Sequence, residues 1–200
     1  AKGSEALVSN DAYMTSVWEM NNTVAERYNN PGTFTSLIGY EWTSQPSGGN
    51  LHRVVIFRDD KALTDRILPF SAFDSEDVED LWAFMAAYES QLGGRVLAIP
   101  HNGNLSSGTM FPPQHQKTRM AIDADYARMR QRFEPIIEVT QAKGTGETHP
   151  LLSPEDEFAS FNIVDNSNLG GFKPTTPEMI PYEYAREALR RGLQLAQDLG

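Results

Sequence analysis

Hydrophobic residues recur along the chain with two different periods, and each period predicts a different kind of element. Spacings of three and four residues predict helices, whereas short runs of aromatic and β-branched residues predict buried strands. Helices are predicted at 11–29, 74–92, 123–132 and 154–160, and in a last region that opens with Thr176 and Pro177. Strands are predicted at 34–42, 51–58, 95–100 and 135–141.

Two of these helices carry apolar stripes, which are typical of amphipathic helices that bury one face. The first helix has its stripe at Val17, Met20, Val24 and Tyr28. The last helix has its stripe at Ala185, Ala188, Leu189, Leu193 and Ala196. We expect each stripe to pack against the rest of the protein.

The first two strands are separated by 43–50, a short polar loop that contains no helical pattern. A parallel crossover needs about a dozen residues or more, so 34–58 is predicted to be an antiparallel hairpin. Glu41 then ends one strand and His52 begins the next, which places both residues at the loop end of the hairpin.

The later strands follow a different order. Those at 95–100 and 135–141 enclose a predicted helix and are far enough apart for a parallel βαβ unit. We therefore assign the chain to the α/β class. In such folds, functional residues gather on the loops after the carboxyl ends of the strands.

Composition limits the classes of function. The chain has 200 residues, of which 40% are hydrophobic and 22% are charged, so 1–200 is long enough for a single domain with a real core. A formal net charge of −10 argues against nucleic acid or an anionic membrane surface as a partner. Because there is no cysteine, disulfides, thiolate metal sites and cysteine nucleophiles are excluded.

Side chains that can bind metals stand at the predicted strand ends. Glu41 and His52 lie at the hairpin loop, and His101 follows the strand at 95–100. Two neutral imidazoles and a carboxylate suit Zn, Mn or Fe, and ligands of one ion should converge within about 4–6 Å. Two other interpretations stay open. The histidines are purely structural in one, and a buried Glu41 pairs with Arg53 in the other.

Three further features carry weaker signals. The Gly/Asn/Ser loop at 101–108 either offers backbone N–H groups to an anion such as phosphate or forms a surface turn. Glu147 and His149 are candidates for substrate contact or proton transfer, with ordinary surface residues as the alternative. His115 is predicted to be a surface residue. The Walker, GxGxxG and GxSxG motifs are absent.

Several long runs of the sequence resemble an uncharacterised bacterial family that is related to the polymerase and histidinol phosphatase (PHP) metal-dependent hydrolases. They include FTSLIGYEWTS, GGNLHRVVIFRD, GGRVLAIPHNGNLS, EVTQAKGTGETHP and TPEMIPYEYAREALRRGL. The resemblance implies a distorted (β/α) barrel with two or three metal ions at the strand ends. It implies that Glu41 is the bridging carboxylate, that His101 is the histidine of the third motif, and that His52 is an intervening ligand.

Two motifs of PHP proteins are missing, since the chain contains neither HxH nor DxH. The chain therefore resembles the middle portion of such a protein, as a single PHP-like domain or a fragment of one with a partial barrel. The resemblance implies a metal-dependent hydrolase that acts on a phosphoester or related small anionic ester. The alternative is a non-catalytic truncated domain or binding module of the same fold.

The resemblance also suggests a location and an assembly. Proteins similar to this family are often exported, so we expect a periplasmic or secreted protein, with the cytoplasm as the alternative. If the missing motifs normally complete a barrel, the remaining strands have open edges that invite pairing between chains. We therefore expect a homo-oligomer.

Overall fold

The structure, a computed structural model, describes residues 11–199. Its helices α1 to α5 are Asp11–Tyr28, Lys61–Thr64, Val78–Leu92, Ala124–Phe133 and Ala185–Leu199. Its strands β1 to β5 are Ile38–Trp42, Arg53–Phe57, Val96–Pro100, Thr140–Gln141 and Gly144–Thr145. Short 3-10 helices occupy Pro46–Gly48, Gly103–Leu105 and Ile180–Tyr182.

The first three strands form one antiparallel sheet in the order β1-β2-β3. This arrangement confirms the predicted hairpin. Glu41 pairs with Val54, and Val54 pairs in turn with Ile99. Because side chains alternate between the two faces of a strand, these three residues lie side by side on one face. The end of β1, the start of β2 and the end of β3 therefore meet at the same end of the sheet.

The other face of the sheet packs on the hydrophobic core. Helix α3 supplies a large part of that core, with Val78, Leu81, Trp82, Met85 and Tyr88 all buried. The helix begins where the Asp77 side chain accepts a hydrogen bond from the Glu79 amide at 2.9 Å. It ends at Gly93, whose φ of 72° is a left-handed conformation that glycine adopts at little cost.

A buried ion pair connects the sheet to two helices. Arg53 Nε donates to Glu134 Oε1 at 2.9 Å, and the side chains are 0% and 1% exposed. The same carboxylate accepts from Trp82 Nε1 at 3.0 Å, and Arg130 Nη2 lies 3.0 Å from its other oxygen. Burial alone would raise the pKa of Glu134, but the two arginine charges outweigh it and hold the pKa below its usual value.

The predicted parallel βαβ unit is wrong. Of 135–141, only Thr140–Gln141 is a strand, and it pairs antiparallel with β5. The segment 135–141 reaches β3 through a backbone hydrogen bond from the Glu138 amide to the Pro100 carbonyl at 3.1 Å. Residues 135–139 are irregular chain, in which Pro135, Ile136 and Val139 are exposed, and helix α4 contacts β3 instead. A short apolar run does not by itself distinguish these outcomes.

Two predicted helices also differ from the structure. The segment 154–160 forms turns, and the last helix begins at Ala185, after the 3-10 helix Ile180–Tyr182. The remaining helices of the prediction, at 11–29, 74–92 and 123–132, are confirmed with shifted ends.

The two apolar stripes are not the buried faces that we expected. In α1 all four residues of the stripe, Val17, Met20, Val24 and Tyr28, are exposed. The buried face carries Trp18 and Asn22, whose side chains donate to the Thr64 carbonyl at 2.9 Å and to Asp65 Oδ1 at 2.8 Å. In α5, Ala185 is buried as expected, but Leu189 and Leu193 are 67% and 76% exposed.

The described chain is thus a mixed α/β structure with small antiparallel sheets, and residues 11–199 do not form a closed barrel. No helix in this part of the chain is long and apolar enough to span a membrane.

We expect Glu134→Ala to lower the free energy of unfolding by about 3–5 kcal/mol, because it leaves Arg53 buried without its partner. The double variant Arg53→Met with Glu134→Leu removes both charges and should recover most of that loss. Asp125→Ala is the control, since the Asp125–Arg128 pair is exposed and should matter little. Chemical denaturation measures all four proteins, and a Glu134→Ala variant as stable as the wild type would contradict the expectation.

The predicted self-association remains to be measured. Within residues 11–199, β1 and β3 pair as strands only with β2, so each keeps one edge without a strand partner. Such edges favour pairing between chains. Sedimentation velocity over a range of concentrations should detect dimers or larger species, whereas a single monomeric species at high concentration would refute the prediction.

Candidate metal centre

Three side chains converge at the loop end of the sheet, and we call Glu41, His52 and His101 the strand-end cluster. His52 Nδ1 lies 2.9 Å from Glu41 Oε1, and His101 Nε2 lies 3.1 Å from the same oxygen. The three ligand atoms lie within 4.8 Å of one another. This convergence is the one that the sequence predicted.

The sheet register explains the convergence. Glu41 lies on the same face as Val54 and Ile99. His52 lies two residues before Val54, and His101 lies two residues after Ile99. The alternation of side chains therefore turns both imidazoles toward the carboxylate. The two rings cross nearly at right angles, with centroids 5.9 Å apart.

The backbone after β3 is held so that His101 stays in place. Asn50 Nδ2 donates to the carbonyl of His101 at 2.6 Å and to that of Asn102 at 3.1 Å. Asn102 has φ 53° and ψ 44°, a left-handed conformation that asparagine tolerates better than most residues. His101 Nδ1 faces the Ile99 carbonyl at 3.4 Å, which leaves Nε2 as the nitrogen that points to Glu41.

The environment of His52 favours its neutral form. Burial lowers the pKa of His52, while the neighbouring Glu41 carboxylate acts in the opposite direction without outweighing it. A metal binds only the unprotonated nitrogen of an imidazole. The other ring nitrogen of His52, Nε2, is buried without a hydrogen-bond partner.

The alternative pairing of Glu41 with Arg53 is wrong, since Arg53 points to the opposite face and pairs with Glu134. The expected burial of Glu41 is also wrong, because its side chain is 46% exposed while those of His52 and His101 are 12% and 8% exposed. The carboxylate is thus hydrated on one side and needs no buried cation.

The loop at 101–108 matches neither interpretation offered above. His101 to Ser106 are buried, so the loop is not a surface turn. The amides of its second half are occupied within the protein. Those of Leu105 and Ser106 donate to the Asn102 and Gly103 carbonyls, the Gly108 amide donates to Glu183 Oε1 at 2.9 Å, and the Ser107 amide also donates to that carboxylate. The anion that this loop holds is therefore the protein's own Glu183.

Glu183 is a buried carboxyl group that the sequence analysis missed. Its side chain is fully buried, and Oε2 has no hydrogen-bond partner. Burial raises the pKa of Glu183 to about 7, and the negative charge of Asp165 adds to the effect. Nothing in the local pattern of PYEYA distinguishes Glu183 from a surface glutamate, because its burial depends on the distant loop at 101–108.

Glu147 and His149 lie outside the strand-end cluster. Glu147 accepts from Arg186 Nη2 at 2.6 Å in an exposed ion pair. His149 Nε2 faces Asp165 Oδ2 at 3.1 Å, and its Nδ1 accepts from the Leu151 amide at 3.1 Å. Both ring nitrogens of His149 are therefore in use, and a role of either residue in proton transfer stays a prediction.

His115 is not the plain surface residue that we expected. Its side chain is 14% exposed, and Nδ1 faces the Glu79 carboxylate at 2.9 Å. The ring packs edge-on against Tyr126 with centroids 5.2 Å apart. This histidine joins the polar stretch around it to helix α3.

Comparison with known proteins gives one match. A family model described as "Protein of unknown function (DUF3604)" matches residues 2–200. No curated protein matches the chain. No solved structure matches it either.

Glu183 should make stability depend on pH. Its carboxyl binds a proton more tightly in the folded protein than in the unfolded chain, so the free energy of unfolding should fall as the pH rises from about 4.5 to about 7. Glu183→Gln should remove this slope and be more stable than the wild type at pH 8, by about 3 kcal/mol. Denaturant titrations between pH 5 and 8 measure the slope of the free energy of unfolding with pH and the difference between the two proteins at pH 8.

The matched control is Glu178→Gln. Glu178 is exposed and lies five residues earlier, and its pKa is lowered by the Thr176 side chain and by a backbone amide. Its variant should keep the wild-type slope between pH 5 and 8. Equal slopes in the wild type and in Glu183→Gln would show that Glu183 is not the group responsible.

Proposed function

Because the chain belongs to the family described as protein of unknown function (DUF3604), its activity has to be inferred from its own residues, and we propose a metal-dependent hydrolase domain of the PHP type. The proposed substrate is a small phosphoester or related anionic ester, and the proposed metal is Zn, Mn or Fe. The observation that carries the proposal is the convergence of two imidazole nitrogens on one carboxylate oxygen.

The donor set suits such an ion. Two neutral imidazoles and one carboxylate are a common set for catalytic Zn and for non-haem Fe, and bonds of about 2.0–2.2 Å put neighbouring ligand atoms roughly 3–3.5 Å apart. The separations of 2.9 Å and 3.1 Å from Glu41 Oε1 are close to that value. The contact of His101 Nδ1 with the Ile99 carbonyl resembles the backbone hydrogen bonds that orient metal-binding histidines.

The residues of the chain have distinct roles in this proposal. Glu41, His52 and His101 hold the ion, and their burial difference leaves the carboxylate side open to a substrate. When bound, a divalent ion supplies Lewis acidity and a lowered pKa for a coordinated water molecule. Asn50 keeps His101 oriented through the carbonyls that follow β3. A periplasmic or secreted location and a PHP barrel completed by further strands belong to the same proposal.

Removing the charge of Glu41 tests the metal site. We expect Glu41→Gln to lower metal affinity at least about tenfold, since loss of even an indirect partner of a metal ligand costs about 10–100-fold. The apo protein should melt at nearly the wild-type temperature, because Glu41 is half exposed and its loss leaves no buried cation without a partner. Plasma mass spectrometry measures metal content. Thermal melting with and without chelator measures how much metal binding stabilises each protein.

The control for this experiment is Glu79→Gln. Glu79 also accepts a hydrogen bond from a histidine, His115, at 2.9 Å, but it lies outside the strand-end cluster. Its variant should keep wild-type metal content. A Glu41→Gln protein with undiminished metal content would reject the proposed metal site.

Hydrolysis of 4-nitrophenyl phosphate tests the activity itself. The wild type loaded with Zn, Mn or Fe should release nitrophenol, and chelator treatment or Glu41→Gln should stop the reaction. Tight metal binding without hydrolysis of any phosphate or sulfate ester would favour the second candidate, a binding module, which the absence of HxH and DxH supports.

A further inference from the structure

A cleft of about 700 Å³ lies between helices α4 and α5, away from the strand-end cluster. None of the three cluster residues lines it. It reaches Pro100, which pairs in register with the buried Arg53 and lies on the face of the sheet opposite to the cluster. Pockets that bind small molecules have volumes of roughly 300–1,000 Å³. The cleft is therefore large enough for a ligand that is independent of the proposed metal site.

The walls of the cleft are mostly apolar. Helix α5 contributes the uncovered part of its apolar stripe, since Leu189 and Leu193 line the cleft and are exposed. Other parts of the wall are Tyr126 of α4 and the irregular chain that carries Ile136 and Ile137. Exposed apolar side chains around a cleft favour binding of an apolar group, because covering them removes their surface from water. The stripe that does not pack on the protein thus borders a space of ligand size.

The charged side chains of the cleft have an excess of positive charge. Those that line it are three arginines and one glutamate, namely Arg128, Arg130, Arg191 and Glu134. Counting also their ion-pair partners Arg53 and Asp125, the group has four positive and two negative charges. This excess occurs in a chain whose formal net charge is −10. An apolar cleft with positive charge is complementary to an organic anion.

Arg191 is the arginine of this group that has no carboxylate partner within residues 11–199. Its Nη1 donates to the Phe111 carbonyl at 2.6 Å, and its Nη2 donates to the Pro181 carbonyl at 2.8 Å. These two contacts fix the guanidinium group in the wall and leave three of its five N–H donors for a ligand. Glu187, one turn earlier in α5, pairs with Arg190 at 2.9 Å. Because Arg191 is half-buried, burial lowers its pKa, and an anion that replaced the lost hydration would stabilise its charge.

We propose that the cleft between α4 and α5 binds a small amphipathic carboxylate, with the carboxylate on Arg191 and the hydrocarbon chain along the apolar stripe of α5. The planar guanidinium group matches the geometry of a carboxylate and forms strong charge-assisted hydrogen bonds with it. Arg130, whose Cζ lies 4.8 Å from the centre of the Phe111 ring, is a second cation beside the same segment. The cleft thus supplies both an apolar wall and an anion partner. This inference does not depend on the proposed metal site.

The test measures the binding of octanoate to the full 200-residue chain by calorimetry, without added metal. The comparison ligands are 1-octanol, which has a similar chain without the charge, and acetate, which has the charge without the chain. The wild type should bind octanoate at least about tenfold more tightly than either, because a hydrogen bond to a charged group and the burial of a chain each contribute that much. Arg191→Gln should bind octanoate about tenfold more weakly and leave the affinity for octanol unchanged.

Gly192→Phe fills the cleft without touching its arginines. Gly192 lines the cleft, and a Cβ there meets no atom within 4 Å outside its own helix. Phenylalanine is also a better helix former than glycine, so the variant should melt at the wild-type temperature or above it. Its affinity for octanoate should fall at least about tenfold, because the added ring occupies the space of the ligand chain.

The matched control is Gln197→Phe, which adds the same side chain at an exposed position of α5 that does not line the cleft. It should bind octanoate as the wild type does. Equal affinities of the wild type for octanoate and octanol would overturn the proposal, and so would an undiminished octanoate affinity in Gly192→Phe. Sedimentation gives a further check. An oligomer that Gly192→Phe converts to a monomer would overturn the proposal, because a second copy of the chain would then cover the cleft.

Discussion

The buried pair of Arg53 and Glu134 is the constraint on which the rest of the structure depends. A buried charge without its partner is far more costly than an apolar residue, so the first strand position of β2 has to meet the residue that follows α4. Trp82 Nε1 donates to the same carboxylate and brings α3 to the same point. The sheet, α3 and α4 are therefore fixed relative to one another at the end of the sheet that carries the strand-end cluster.

The same ion pair also determines which side chains lie on the other face of the sheet. Arg53 pairs in register with Trp42 and Pro100, and these positions face the core. Glu41, His52 and His101 each lie next to one of them in sequence, and alternation sends their side chains to the opposite face. The ion pair on one side and the cluster on the other are thus consequences of one register. A shift of one residue would turn the histidines toward the core and the arginine away from it.

The local sequence predicts the structure correctly where loop length and strand alternation decide it. The short loop at 43–50 forced an antiparallel hairpin, and that hairpin brought Glu41 to His52. The local sequence does not predict the structure where contacts between distant segments decide which residues are buried. In α1, Trp18 and Asn22 find partners near α2, and this outweighs the apolar stripe on the other side. The loop at 101–108 looked able to bind an external anion, but Glu183 reaches it from a segment about 75 positions away. The pattern of a single sequence does not show which distant segments come into contact.

The cluster as it stands is already close to the arrangement that an ion would need. Both imidazoles face one carboxylate oxygen, so hydrogen bonds from the two ring nitrogens hold the three groups together, and an ion would take the place of those two protons. A structural zinc site is closed by four protein ligands, whereas catalytic sites keep a position open. Within residues 11–199 this cluster offers three ligands, and its one exposed member is the carboxylate. That asymmetry opens the cluster to solvent on the Glu41 side. A substrate would therefore meet the site where the negative charge is hydrated and accessible, and where binding of an anion most needs a compensating cation.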